Sequence, residues 1–221
     1  EPLSLFFLTL FFFLWEKNER QLNGAQLIAL TLSVLARETT IIFIGIFFLH
    51  ALFTRKKREA GLSLIPLIPF ALWQGFLTLR FGEFPLNTGS RMLNIPLSGP
   101  FDLLARTLDA PAAYTLSSAS LLLLFVVPLL FVTTRLWLQE KGDTSLALLT
   151  GLSAFLLFMD AHIWGVITSI GRVITPLYPV YAYVAIKRDS EAFRLLSIAL
   201  ITISIAAAIG ITLVSHPFVL A

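Results

Sequence analysis

Leu35-Ala36-Arg37-Glu38-Thr39-Thr40 sets an adjacent arginine and glutamate in the middle of an apolar run. Gly24 to Leu35 precedes it and Ile41 to Phe53 follows, and each flank is almost wholly hydrophobic. Beyond the flanks stand two charged segments, Glu16-Lys17-Asn18-Glu19-Arg20 and Arg55-Lys56-Lys57-Arg58-Glu59. At ~1.5 Å per residue, each flank reaches only about 18–20 Å, short of a ~30 Å hydrocarbon core. Two arrangements satisfy this. One is a single long, tilted helix; the other is a pair of short helices turning near Arg37-Glu38, with both outer ends on one side. The charge pattern favours the pair, because Lys17, Arg20 and Arg55 to Arg58 then share the cytoplasmic face. Backbone that turns within a membrane must face protein or a water-filled cavity, which sets Arg37 and Glu38 against a polar cleft. A charge at the centre of a spanning helix costs roughly 2.5–3.5 kcal/mol on insertion scales, so the pair is a candidate functional site.

Composition makes the membrane premise explicit. Of 221 residues, 57% are hydrophobic and 13% charged, with a mean hydropathy of +0.86. A soluble domain carries about 25% charged residues. The apolar runs recur along the whole chain and lack the ten-residue alternation of a barrel. The expected fold class is therefore all-α: a polytopic transmembrane helical bundle, with short or re-entrant helices and one long outer loop. The net charge of +3 lies in short loops between apolar runs, so no nucleic-acid partner is implied. The absence of cysteine excludes disulfides and thiolate metal sites.

Taken in order, Leu3 to Trp15 reads as a first helix, with Trp15 as an interfacial anchor. After the Arg37-Glu38 pair, Leu62 to Leu79 forms the next span, kinked at Pro66 and Pro69. Residues 80–115 form an outer loop that holds an amphipathic piece at Phe101 to Leu108. Leu121 to Leu136, Leu146 to Phe158, Val173 to Ile186 and Leu195 to Val214 then alternate across the membrane. This topology puts eleven of the sixteen Lys and Arg inside, the asymmetry expected of cytoplasmic loops. With no internal repeat, 1–221 reads as one transmembrane domain. The chain opens at Glu1-Pro2 and runs straight into an apolar helix, and is expected to be the C-terminal part of a longer protein.

Phosphate-loop, paired-histidine zinc and nucleophile-elbow motifs are absent. What remains is the polar set at the outer face: Glu1, Arg37, Glu38, Arg80, Glu83, Arg91, Asp102, Arg106, Asp109, Asp160, His162 and Arg172. Five cations and several carboxylates facing one compartment suit a phosphate-bearing ligand, since arginine grips phosphate through a bidentate fork. Blander readings stand beside this one. Arg37-Glu38 could simply lock helices together, Arg172 could snorkel to the interface, and Asp160 with His162 could form a solvated turn. The Phe11 to Phe13 and Phe47-Phe48 clusters read as packing or lipid-facing residues, and His50 as an interfacial one.

The segments "LARETTIIF" (35–43), "TRKKRE" (54–59), "PFALWQGFLTLRFGEFP" (69–85) and "GRVITPLYPV" (171–180) resemble the bacterial polytopic glycosyltransferases of the GT-C class linked to cell-surface glycopolymer formation. The resemblance spans most of the chain. It implies an enzyme of the bacterial inner membrane that faces outward and moves sugar from a polyprenyl-phosphate donor to a glycan or lipid acceptor. In that class an acidic residue of the first outer loop acts as base or metal ligand. Here that loop is expected N-terminal to residue 1, so no catalytic residue or metal ligand is assigned and a divalent metal is left open. By the same resemblance, Arg37 and Arg172 meet the donor phosphate. Arg37-Glu38-Thr39 stands where related enzymes often have a lysine followed by threonine. Arg37, Glu38, Arg172, Asp160 and His162 are the candidate substrate-binding residues. The alternative from another class is a transporter or flippase for lipid-linked or anionic solutes, with the same arginines along its pathway.

Overall fold

A computed structural model describes residues 2–82, 95–110, 112–165 and 173–215. The chain is all-helical, with 82% of it in helix and no strand among the described residues. Helix α1 covers Pro2–Lys17, α2 Gly24–Ala36 and α3 Thr40–Phe53. A polar box starts α2: the Asn23 side chain accepts from the Gln26 amide, and the Gln26 side chain returns to the Asn23 amide. Gln26 also donates to the Leu14 carbonyl at 3.0 Å, which ties the end of α1 to the start of α2.

The single-long-helix arrangement is ruled out by the backbone at Arg37, which is extended at φ −157° and ψ 117°. The chain then turns through Glu38 and Thr39 into α3, with the Thr40 amide donating to the Arg37 carbonyl at 3.1 Å. Ser4 meets both Ser33 and Thr40, while Trp15 meets Phe47. Helix α1 therefore runs antiparallel to α2 and parallel to α3, and the outer ends of α2 and α3 lie together, beside the end of α1.

Helices α4 (Lys57–Ser63) and α5 (Leu67–Phe81) follow as one rod interrupted at Leu64 to Pro66. Its start at Lys57 is earlier than the hydrophobic pattern indicates. Pro66 and Pro69 sit at the cap and first turn of α5, where a missing amide costs nothing. Gly82 stops α5 in the left-handed conformation, φ +76°. Most of the described residues of the stretch 80–115 are helical: α6 occupies Ser98–Asp109, and α7 starts at Ala113. Leu103 is the buried side of α6, while Asp102 and Asp109 are exposed.

Helix α7 (Ala113–Leu121) passes through a π-helical turn at Leu122–Val126 into α8 (Val127–Gln139). Pro128, at the start of α8, has no amide to offer the preceding turn, and the wider π turn absorbs that defect. Helices α9 (Thr144–Leu156), α10 (Ala161–Gly165), α11 (Leu177–Arg188) and α12 (Glu191–Ser215) complete the bundle. Helix α9 packs on α3 so closely that a Cβ at Gly151 would stand 2.6 Å from the Ile46 Cγ2.

Aromatic side chains fill the interior between α1, α3 and α11. Phe11 meets Trp15 and Phe43 edge-on at 5.0 and 5.6 Å, and Phe12 stacks on Tyr183 at 5.1 Å. Such pairs contribute about 0.5–1.5 kcal/mol each beyond burial. Phe11, Phe12 and Phe47 are thus packing residues, whereas Phe13 faces outward.

Two helices, Lys57–Phe81 and Thr115–Gln139, are long and apolar enough to cross a membrane. Only 17% and 39% of their most apolar windows are buried, so neither resembles the core helix of a soluble protein. Large apolar side chains point outward all around the bundle, among them Phe6, Phe53 (86% exposed), Leu72, Leu79 (89%) and Phe131. An exterior this apolar marks a surface that meets lipid or another apolar phase.

Candidate functional site

The antiparallel packing sorts the polar residues to two ends. At one end lie the loops after α1, α3, α8 and α11, carrying Lys17, Arg20, Arg55 to Arg58, Lys141, Lys187 and Arg188. At the other lie the α2–α3 corner, α6, the α9–α10 corner and the N-terminus of α1. The sequence candidates Arg37, Glu38, Asp160 and His162 all fall at this second end. Arg172 lies outside the described residues, as do Glu1, Glu83, Arg91 and His216.

The α2–α3 corner holds its charges in a defined way. Arg37 and Glu38 are half-buried, and Thr39 and Thr40 are buried beneath them. One turn deeper, Ser4, Ser33 and Thr40 form a closed triangle of hydroxyls, with oxygens 3.0, 3.1 and 3.2 Å apart. All three residues are fully buried, so α1, α2 and α3 are joined by polar contacts where the surroundings are otherwise apolar. The triangle fixes the corner from which Arg37 and Glu38 project. Asp160 has a clear local role: its carboxylate accepts from the His162 amide at 2.8 Å, and its carbonyl accepts from Ile163 and Trp164. It caps α10, and the His162 side chain is exposed.

The basic end contains more built structure than the sequence suggests. Arg188 grips both carboxylate oxygens of Glu140 at 2.9 and 2.7 Å and reaches Asp143 at 3.1 Å. Asp143 also caps α9 by accepting from the Ser145 and Leu146 amides. Burial pushes the Asp143 carboxyl up, but Ser145, Lys187 and Arg188 outweigh that and hold it below its ordinary value. The Tyr183 hydroxyl donates to Glu16, and this bond is the main cause of a lowered Glu16 pKa. Together these contacts tie the α1, α8–α9 and α11 loops to one another.

Between them opens a cavity of about 610 Å³. Trp15, Phe12, Leu22, Leu62 and Tyr183 supply its apolar lining, with Arg20, Arg55, Lys56, Lys57 and Arg58 as its cations and Glu19, Glu59 and Asp143 as its acids. Two closures shape its rim. The Arg20 amide donates to the Trp15 carbonyl at 2.9 Å, and the Lys56 amide to the Ala51 carbonyl at 2.8 Å. Each is the six-residue helix stop that places the preceding residue in the left-handed region, usually as glycine. Here those residues are Glu19 (φ 51°) and Arg55 (φ 59°), and Arg20 follows at φ 62°. Sequence reading missed this cavity because its lining comes from segments over 150 residues apart; the repeated basic loops were its only signal.

Among the described residues no group of three or more His, Cys, Asp or Glu side chains could hold a metal ion. Comparison of the chain with protein families, with characterised proteins and with solved structures finds no match.

Proposed function

We propose that this chain belongs to a polytopic membrane glycosyltransferase that takes sugar from a polyprenyl-phosphate donor at the membrane face opposite the basic loops. The observation that carries the reading is the α2–α3 corner. It presents a half-buried Arg37-Glu38 pair between two short helices, at the end away from most of the positive charge. The apolar exterior and the segregation of Lys and Arg support a bundle crossing the membrane, with the corner on the outer side. The motif resemblance supplies the reaction class.

In this reading the acceptor hydroxyl attacks the anomeric carbon and passes its proton through water to the departing phosphate, while the bond from that carbon to the phosphate oxygen breaks. The polyprenyl phosphate leaves with the electron pair, and negative charge grows on its oxygens. Arg37 lies where a guanidinium fork can neutralise that charge in a partly dry setting, and Arg172 is the second cation assigned to it. Glu38 orients Arg37 or the acceptor hydroxyl. Asp160 acts indirectly, by holding α10 and with it His162 at the same end.

The test is transfer or release of label from radiolabelled polyprenyl-phosphate sugars by the purified full-length protein in lipid. Wild type should turn over, and Arg37→Ala should lose about a hundredfold or more, the usual cost of one charge-stabilising donor. Full activity in Arg37→Ala would sink the assignment. Counterflow of the labelled lipid without any sugar transfer would replace it with transport.

A further inference from the structure

The cavity at the basic end plays no part in that chemistry, and three observations give it a ligand class of its own. First, its cations are in excess and incompletely neutralised. Arg20 pairs with Glu16 and Lys56 with Glu59, but among the described residues Arg55, Lys57 and Arg58 form no ion pair. Second, Phe12, Trp15, Leu22 and Leu62 give the cavity an apolar wall directly beside those cations. Third, the helix stop after α3 carries Arg55 in a left-handed position that glycine would occupy without strain. Keeping a large cation there against its backbone preference suggests that the side chain is needed.

We infer that this cavity binds a phosphate-bearing anion, with Arg20, Arg55, Lys57 and Arg58 surrounding the phosphate and the Phe12, Trp15 and Leu62 wall receiving the apolar part of the ligand. Basic recesses between helices at a membrane face are suited to acidic lipid headgroups, and free phosphate offers the same oxygens. The inference does not depend on the sugar-transfer reading, because the site lies at the opposite end of the bundle.

Binding is measured on the whole chain in neutral detergent, by titrating short-chain phosphatidylglycerol, phosphatidylcholine and inorganic phosphate and following tryptophan fluorescence and Tm. Phosphatidylglycerol should saturate a single class of site, with phosphatidylcholine well behind it. Arg55→Gly is the decisive variant: relief of the left-handed strain should leave Tm without ligand unchanged or raised, while affinity falls about fivefold, the worth of one cation at an acidic surface. Arg58→Gln, in the first turn of α4, should lose a similar factor. If inorganic phosphate competes with the lipid, the site takes the free anion as well; if it does not, the occupant is a lipid headgroup. Wild-type affinity in both variants, or equal binding of phosphatidylcholine, would overturn the proposal.

Discussion

Asp143 combines two separable contributions, and substitutions at this position can weigh them. Its carboxylate caps α9 through the Ser145 and Leu146 amides and also meets the Arg188 guanidinium, in a place where both side chains are largely covered. Losing an N-cap to alanine costs about 1 kcal/mol. A hydrogen bond to a charged partner contributes about 1.5–3 kcal/mol, and a neutral one about 1. Asp143→Ala removes both, so a loss near 3 kcal/mol is expected, close to 150-fold in the folding equilibrium. Asparagine caps as well as aspartate does, but with its Oδ1 on the Ser145 and Leu146 amides its Nδ2 replaces the oxygen that accepts from Arg188, so Asp143→Asn should keep the cap and lose the charged bond, about 2 kcal/mol. The sign of the pH dependence follows from the depressed pKa. The charge-dependent stability is fully present above the unfolded value of about 3.9 and disappears as pH falls through the lower folded value. Unfolding by sodium dodecyl sulfate in mixed micelles, from pH 7 downward, measures all three proteins. Equal losses for Asn and Ala, or a gap between wild type and Asn that survives at the acid extreme, would refute this account.

At the helix contact between α3 and α9, Gly151→Ala should destabilise by about 1–3 kcal/mol in the same assay, because its Cβ meets the branched end of Ile46, and Gly151→Val by more. Ser33→Ala opens the hydroxyl triangle but leaves Ser4 and Thr40 paired, so a loss of only about 0.6 kcal/mol is expected; a loss of several kcal/mol would mean the corner depends on it far more. Tyr183→Phe removes the main cause of the lowered Glu16 pKa, and a carboxyl-resolved titration should find Glu16 moved up toward its ordinary value. Because the chain has no cysteine, single cysteines at Lys141 and Asp102 can be labelled with an impermeant thiol reagent in sealed vesicles. They should react from opposite sides, and reaction from the same side would contradict an eight-segment alternation.

The gross arrangement was legible because charge and hydropathy are strong, local signals. Lys17, Arg20, Arg55 to Arg58, Lys141 and Arg188 stand in short gaps between apolar runs, and the bundle gathers those gaps at one end. Ambiguity at Arg37 was real, since two 13- and 14-residue helices and one long rod share the same pattern until the extended backbone decides between them. Element starts read less well. Lys57 to Glu59 have the composition of a loop yet form the first turn of α4. Long-range polar contacts were invisible: nothing in Ser4, Ser33 and Thr40 announces that they meet, because isolated hydroxyls are common in apolar helices. Asp160 was visible as polar, but its capping role depends on the short helix after it. Glu16 and Tyr183 lie 167 positions apart and meet only because α1 and α11 pack side by side.

The unequal lengths of the helices bear on the lipid itself. Helices α2 and α3 rise about 20 Å from the basic end before turning, whereas the rods at 57–81, interrupted at Leu64 to Pro66, and at 115–139 extend about 37 Å. With the basic end held at headgroup level, the apolar slab beside α2 and α3 ends roughly a third short of its usual ~30 Å. If the bundle crosses a bilayer as proposed, annular lipid there has to compress or tilt, and water on the far side gains a shallow approach to Arg37. A long-chain amphiphile could then keep its tail in the ordinary bilayer while its head dips sideways into the thinned sector. Such a protein would also sense bilayer thickness, with the geometry at Arg37 changing as the surrounding chains lengthen.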